Sequence, residues 1–167
     1  YHPVTEAFLG HHTRILGTVQ VVEISPFRKH VVGVIRSSFE EIGRGDRIGP
    51  SLGDLERPVE PRPNPRNMVG RIAATVDRGV RELGQDQIVI LDRGKQHGVQ
   101  VGNVFQVVQA GDGLYASEDE PVSDLPGEIV AELLVLDVFE NTSTASVVAA
   151  RREVHVGDRV VMRAASR

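Results

Sequence analysis

"VILDRGKQHGVQVGNVFQVV", residues 89–108, joins two apolar runs through an acid, two basic residues, a histidine and three glycines. Such a stretch can be a loop that holds a ligand or a corner at which one strand becomes the next, and the fold depends on which. Two other segments share its layout: "VIRSSFEEIGRGDRI" (34–48) and "VVAARREVHVGDRV" (147–160). Each runs from an apolar strand through a polar stretch long enough for one helical turn, then an apolar residue, Gly, Asp or Asn, and a new strand. Two copies superpose without gaps: Gly45-Asp46-Arg47 and Gly157-Asp158-Arg159 lie 112 positions apart, with Ile42 falling on Val154. A feature present three times with different charged residues reads as architecture, so the stretch is a strand-to-strand corner.

Glycine supplies the φ > 0 that reverses the chain, and Asp or Asn bonds nearby backbone to hold the turn. The residues expected to do this are Gly45, Asp46, Gly94, Gly98, Gly102, Asn103, Gly157 and Asp158. Ser38 and Glu41 have capping-box spacing for a short helical piece in the first copy. A phosphate-binding P-loop needs four residues between its glycines and then Gly-Lys-Ser/Thr, and "DRGKQHG" has neither the spacing nor the hydroxyl. The adhesion-like tripeptide Arg44-Gly45-Asp46 is accounted for as a turn.

Working outward, six β-branched segments follow a proline-rich stretch: residues 70–77, 87–92, 103–109, 128–140, 143–151 and 158–163. No long segment keeps a helical period, and several of these runs are apolar on both faces. An all-β fold is expected, with a small N-terminal β unit (1–55) followed by a small C-terminal β-barrel (68–167) of SH3-like type. In the first unit, residues 18–24 and 30–37 read as antiparallel strands about a turn at Ser25-Pro26. That unit is expected to need a neighbour to cover its sheet. "ERPVEPRPNPR" (56–66) locks φ at alternate positions and reads as an extended strap or linker, residues 56–67. Residues 110–127 are an acidic insertion without periodicity, expected to protrude.

Composition narrows the function. Of 167 residues 40% are hydrophobic but only 4% aromatic, with no Trp, so the core must be aliphatic and stacking platforms for sugars or single-stranded nucleic acid are disfavoured. A net charge of −4 at pH 7 argues against nucleic acid as a partner. No apolar run reaches the ~20 residues of a membrane span, and no Cys is available for disulfides or thiolate metal sites. The chain starts at Tyr1 without Met and reads as a fragment or processed product.

Chemistry-bearing patterns are weak. His11-His12 point apart and lack a carboxylate at ligand spacing. His97 and His155 sit in corners and read as turn residues. Asp112, Glu118, Asp119 and Glu120 lack the ordered spacing of a calcium loop, and no Ser stands in a G-x-S-x-G elbow. No catalytic residue, cofactor or metal is therefore expected.

"DRGKQHGVQVGNVF" (92–105), the Pro-Gly-Glu opening a long strand (126–128), the "NTSTA" corner (141–145) and the terminal "VGDRV" (156–160) carry a resemblance. From about residue 68 to 163 the chain resembles the C-terminal β-domain of the flagellar assembly protein T family. It resembles more closely the C-terminal region of TsaP-type LysM-containing envelope proteins. The resemblance implies a non-enzymatic periplasmic scaffold at the outer membrane or cell wall. Such a module binds, in multiple copies, the outer-membrane secretin ring of a type IV pilus machine. A LysM domain upstream of Tyr1 would bind peptidoglycan. The alternatives are a periplasmic ring of the flagellar motor and a glycan-binding module. Partner-binding candidates are Pro61, Pro63 and Pro65 on the strap, and Tyr115 and Leu125, large groups in a polar loop.

Overall fold

A computed structural model describes residues 1–11, 13–27, 29–50, 58–76, 83–109 and 127–165. Their regular structure is eight strands and one 3-10 turn, Lys95–His97. The chain divides into two compact units, His11–Arg57 and Tyr1–Gly10 with Pro58–Arg167. The sequence carries no signal that the first ten residues belong with the larger unit.

In the larger unit six strands close into a barrel: β3 (Met68–Thr75), β4 (Ile88–Leu91), β5 (Val104–Gln109), β6 (Glu128–Val138), β7 (Ser143–Ala150) and β8 (Arg159–Met162). Going round, the order is β3-β4-β7-β6-β5-β8, every neighbour antiparallel. Closure leaves no unpaired edge, which is how strands this short and this rich in valine avoid pairing with other chains. Alternation sends Val89 and Leu91, Phe105 and Val107, Leu133 and Val135, Ala145 and Val147, and Val160 and Met162 into one aliphatic core. Phe105 is the single aromatic residue in it, as the composition requires.

The corners share one construction. Gly43 N–H donates to Asp46 Oδ2 (2.7 Å), Gln100 N–H to Asn103 Oδ1 (2.8 Å) and His155 N–H to Asp158 Oδ2 (2.8 Å). In each the backbone returns the bond, from Asp46 to Gly43, Asn103 to Gln100 and Asp158 to His155. The residue between is glycine in the left-handed region: φ is 106° at Gly45, 87° at Gly102 and 99° at Gly157. A fourth corner escaped the sequence reading. Gly84 N–H donates to Gln87 Oε1 (2.7 Å), and Asp86 takes the glycine position at φ 67°. Asp tolerates that region through its short polar side chain, so the motif persists with its signature residues replaced.

Two details differ from expectation. Gly94 is extended (φ −137°) and opens the 3-10 turn, where its N–H donates to His97 Nδ1 (3.0 Å). After β2 no helical turn forms, because the Ser38 hydroxyl donates to the Glu40 carbonyl (2.6 Å) instead of capping a helix.

The smaller unit is a two-stranded ribbon of β1 (Gly17–Ser25) and β2 (His30–Ser38), followed by the Gly43–Asp46 corner. Its eight residue pairs run from Gly17↔Ser38 to Ser25↔His30, with irregularities at Thr18/Val19 and Val21/Glu23. An isolated two-stranded ribbon is marginal in water.

Candidate interaction surface

Among the described residues no group of three or more His, Cys, Asp or Glu could hold a metal ion. Asp112, Glu118, Asp119 and Glu120, like Tyr115 and Leu125, lie outside the described residues. His97 and Asp158 are engaged in holding corners: Asp158 Oδ2 also accepts from Gln109 Nε2 at 2.8 Å.

The strap behaves as a strand substitute. Pro61, Pro63 and Pro65 are exposed, while the residues between them bond the barrel. Arg62 N–H donates to the Gly102 carbonyl (2.8 Å). Asn64 Nδ2 donates to the carbonyls of Val104 (2.8 Å) and Arg163 (3.1 Å), and its Oδ1 accepts from Val104 N–H (3.0 Å). One carboxamide thus ties the start of β5 to the chain leaving β8. Gly102 lies beneath this path: a Cβ there would sit 2.6 Å from the Glu60 carbonyl oxygen. Removing the carboxamide in Asn64→Ala leaves the Val104 amide without its acceptor and should cost about 1–3 kcal/mol. Urea unfolding together with faster hydrogen exchange at the Val104 amide checks this, and an unchanged midpoint would contradict it.

A second polar cluster fastens the first ten residues. Asp92 is buried; its Oδ1 accepts from Arg71 N–H (2.7 Å), and its Oδ2 meets Arg93 (2.8 Å) and His2 Nε2 (3.1 Å). His2 Nδ1 accepts from the Val4 and Thr5 amides (3.1 and 3.0 Å), so the imidazole proton sits on Nε2 and is donated to Asp92. Every polar atom of this group that faces inward has a partner, which marks it as a fastening.

Apolar surface concentrates on the ribbon. Val19, Val21, Val22, Ile24, Phe27, Val31, Val32, Val34, Ile35 and Phe39 are all exposed. Val19 pairs with Ile35 and Val21 with Gly33, which puts Val19, Val21 and Ile35 on one face. Gln20 and Arg36, joined by a hydrogen bond from Arg36 Nε (2.7 Å), mark the other. Contiguous exposed apolar area of this kind is characteristic of protein contact sites. The sequence led to the expectation that this sheet needs a neighbour to cover it; among the described residues both of its faces carry exposed aliphatic side chains.

Residues 86–162, from within the corner that precedes β4 to the end of β8, match the family model described as flagellar assembly protein T, C-terminal domain. This part of the chain is related to that domain; β3, the strap and the ribbon unit fall outside the match. No curated protein and no solved structure matches the chain significantly.

Proposed function

We propose that this chain is a non-enzymatic scaffold module of a bacterial envelope machine, periplasmic, and part of a ring assembly. The match of residues 86–162 to the flagellar assembly protein T C-terminal domain carries the reading. The barrel interior supports it, being filled by side chains with no exposure at Phe105, Leu133, Val135, Val147 and Met162, which leaves no room there for a substrate.

Two machines fit. The matched family favours a ring of the flagellar motor, whereas the likeness of the "DRGKQHGVQVGNVF" and "VGDRV" stretches to LysM-containing envelope proteins favours the secretin ring of a pilus machine, with peptidoglycan held by a domain upstream. Affinity isolation of the full-length protein from detergent-solubilised envelopes separates them by what is recovered: flagellar basal-body components or an outer-membrane secretin. Recovery of neither overturns the scaffold reading. In the same experiment, deleting residues 115–125 is expected to lower recovery of the ring while the barrel stays folded by circular dichroism; undiminished recovery would remove Tyr115 and Leu125 as anchors.

A further inference from the structure

The ribbon of the smaller unit repeats one hairpin of the barrel residue for residue. Adding 114 to the β1 member and 112 to the β2 member of the first seven of the eight ribbon pairs gives the β6–β7 ladder. Gly17↔Ser38 becomes Ala131↔Ala150, Thr18↔Ser37 becomes Glu132↔Ala149, and Val19↔Ile35 becomes Leu133↔Val147. Gln20↔Val34 becomes Leu134↔Ser146, Val21↔Gly33 becomes Val135↔Ala145, and the series continues to Ile24↔Val31 and Val138↔Ser143. Both register breaks coincide as well: Thr18/Val19 with Glu132/Leu133, and Val21/Glu23 with Val135/Asp137. The same 112-residue step carries Gly43, Gly45 and Asp46 onto His155, Gly157 and Asp158, with the identical side-chain-to-backbone bond. Bulges are specific features of a ladder, so two of them in register, followed by the same corner, identify one structural unit present twice.

The two copies differ in what covers them. Leu133, Val135, Val147 and Val160 have no exposure, whereas their counterparts Val19, Val21, Ile35 and Ile48 are 37%, 48%, 52% and 78% exposed. In the barrel the open edge of β7 is taken by β4, through residues 143–146, and that of β6 by β5, through residues 128–134. The ribbon keeps the aliphatic residues, the bulges and the corner, and among the described residues no further strand pairs with either of its edges.

We propose that the ribbon is two strands of a second barrel, and that its Val19/Val21/Ile35 face accepts a polypeptide segment of the β4–β5 kind. Such a segment is a short aliphatic strand, a glycine-bearing corner and a longer strand with an aromatic residue turned inward. It adds one strand to each edge of the ribbon, antiparallel, along residues 31–34 of β2 and residues 17–20 of β1. Backbone pairing supplies affinity and the inward side chains supply selectivity, as in other strand-addition complexes. Gly33 and Gly17 stand where the barrel has Ala145 and Ala131, the residues that pair with Val89 and Val107 of the two covering strands. The inference is independent of which machine the protein serves.

The chain itself supplies the probe, a synthetic peptide of residues 86–109 added in trans to the full protein. At about 1 mM peptide, a concentration at which weak strand addition is populated, amide exchange at residues 17–20 and 31–34 should slow by roughly 10-fold or more. Barrel amides should not change. Val21→Asp should abolish the protection, while Val34→Asp, on the opposite face, should leave it. Absence of protection at these amides overturns the proposal, as does equal loss in both variants, which would mean unselective adhesion. Protection that rises with protein concentration when no peptide is present also overturns it, because the ribbon would then be meeting a second copy of itself.

Discussion

Gly94→Ala should lower the stability of the barrel by about 1–3 kcal/mol or more, although alanine adopts the native backbone angle freely there. The cause is space. A Cβ on Gly94 would lie 2.4 Å from the Phe139 carbonyl oxygen, 2.5 Å from Thr142 N and 2.7 Å from the Asn141 carbonyl carbon. All three are backbone atoms, so no side chain can swing away. Nor is that backbone free to move: Lys95 N–H donates to the Phe139 carbonyl (2.8 Å) and Gln96 N–H to the Glu140 carbonyl (3.0 Å), locking the 3-10 turn onto the β6–β7 hairpin loop. Glycine at a point where two backbones approach is a packing requirement. Gly45→Ala is the matched control, since Gly45 has nothing within 4 Å of its would-be Cβ and φ of 106°. Its cost is conformational strain alone, roughly 1 kcal/mol, and falls on the ribbon unit. Urea midpoints of the barrel transition compare the two. A wild-type midpoint for Gly94→Ala would mean that the turn and hairpin are not held together as described.

The same glycine shows how far the sequence could be read. A repeated Gly-Asx step told correctly that "VILDRGKQHGVQVGNVF" is a strand–corner–strand, because the physics of that motif is local: a left-handed residue and a side-chain oxygen three positions from the amide it accepts. Valine-rich runs likewise placed all eight strands to within a few residues, since alternation and β-branching act within each strand. Gly94 read as one more turn glycine, and only the approach of residues 139–142, distant in sequence, gives it a different role. The corner at residues 84–87 was hidden for the opposite reason: its geometry is the common one, but Asp86 and Gln87 replace the residues that advertise it. The ribbon's kinship with β6–β7 was half visible. Gly45 and Gly157 aligned at once, whereas Val19 with Leu133 needed the ladder, because two extra residues in the β1–β2 loop change the offset from 112 to 114. Function was legible only through resemblance.

Asp92→Ala should have the larger effect on the barrel, about 3–5 kcal/mol, because a buried carboxylate with three partners is removed from among them. The Arg71 amide, bonded to Oδ1 at 2.7 Å, loses its acceptor beside Gly70, a residue with almost no solvent access. Arg93 loses the carboxylate that its guanidinium meets at 2.8 Å, and His2 the oxygen to which Nε2 donates. The Arg93 guanidinium, partly exposed, can turn to water, so the penalty comes chiefly from the Arg71 amide and the His2 imidazole, which lose their acceptor. Asp92→Asn separates the contributions. Its carbonyl oxygen can still accept from Arg71, but its amide group then faces the Arg93 guanidinium and the His2 N–H, donor against donor. About half of the alanine effect is expected to remain. His2→Ala, by contrast, leaves Asp92 bonded to Arg71 and Arg93, and should cost only about 1 kcal/mol. Its signature is local: amide exchange quickens at Val4 and Thr5, whose hydrogen bonds end on Nδ1, with the barrel midpoint nearly unchanged. Chemical denaturation of the three variants gives the order, alanine at 92 below asparagine at 92 below alanine at 2. Were His2→Ala to unfold the barrel as readily as Asp92→Ala, residues 1–10 would be part of its core and not a segment fastened to its surface through one carboxylate.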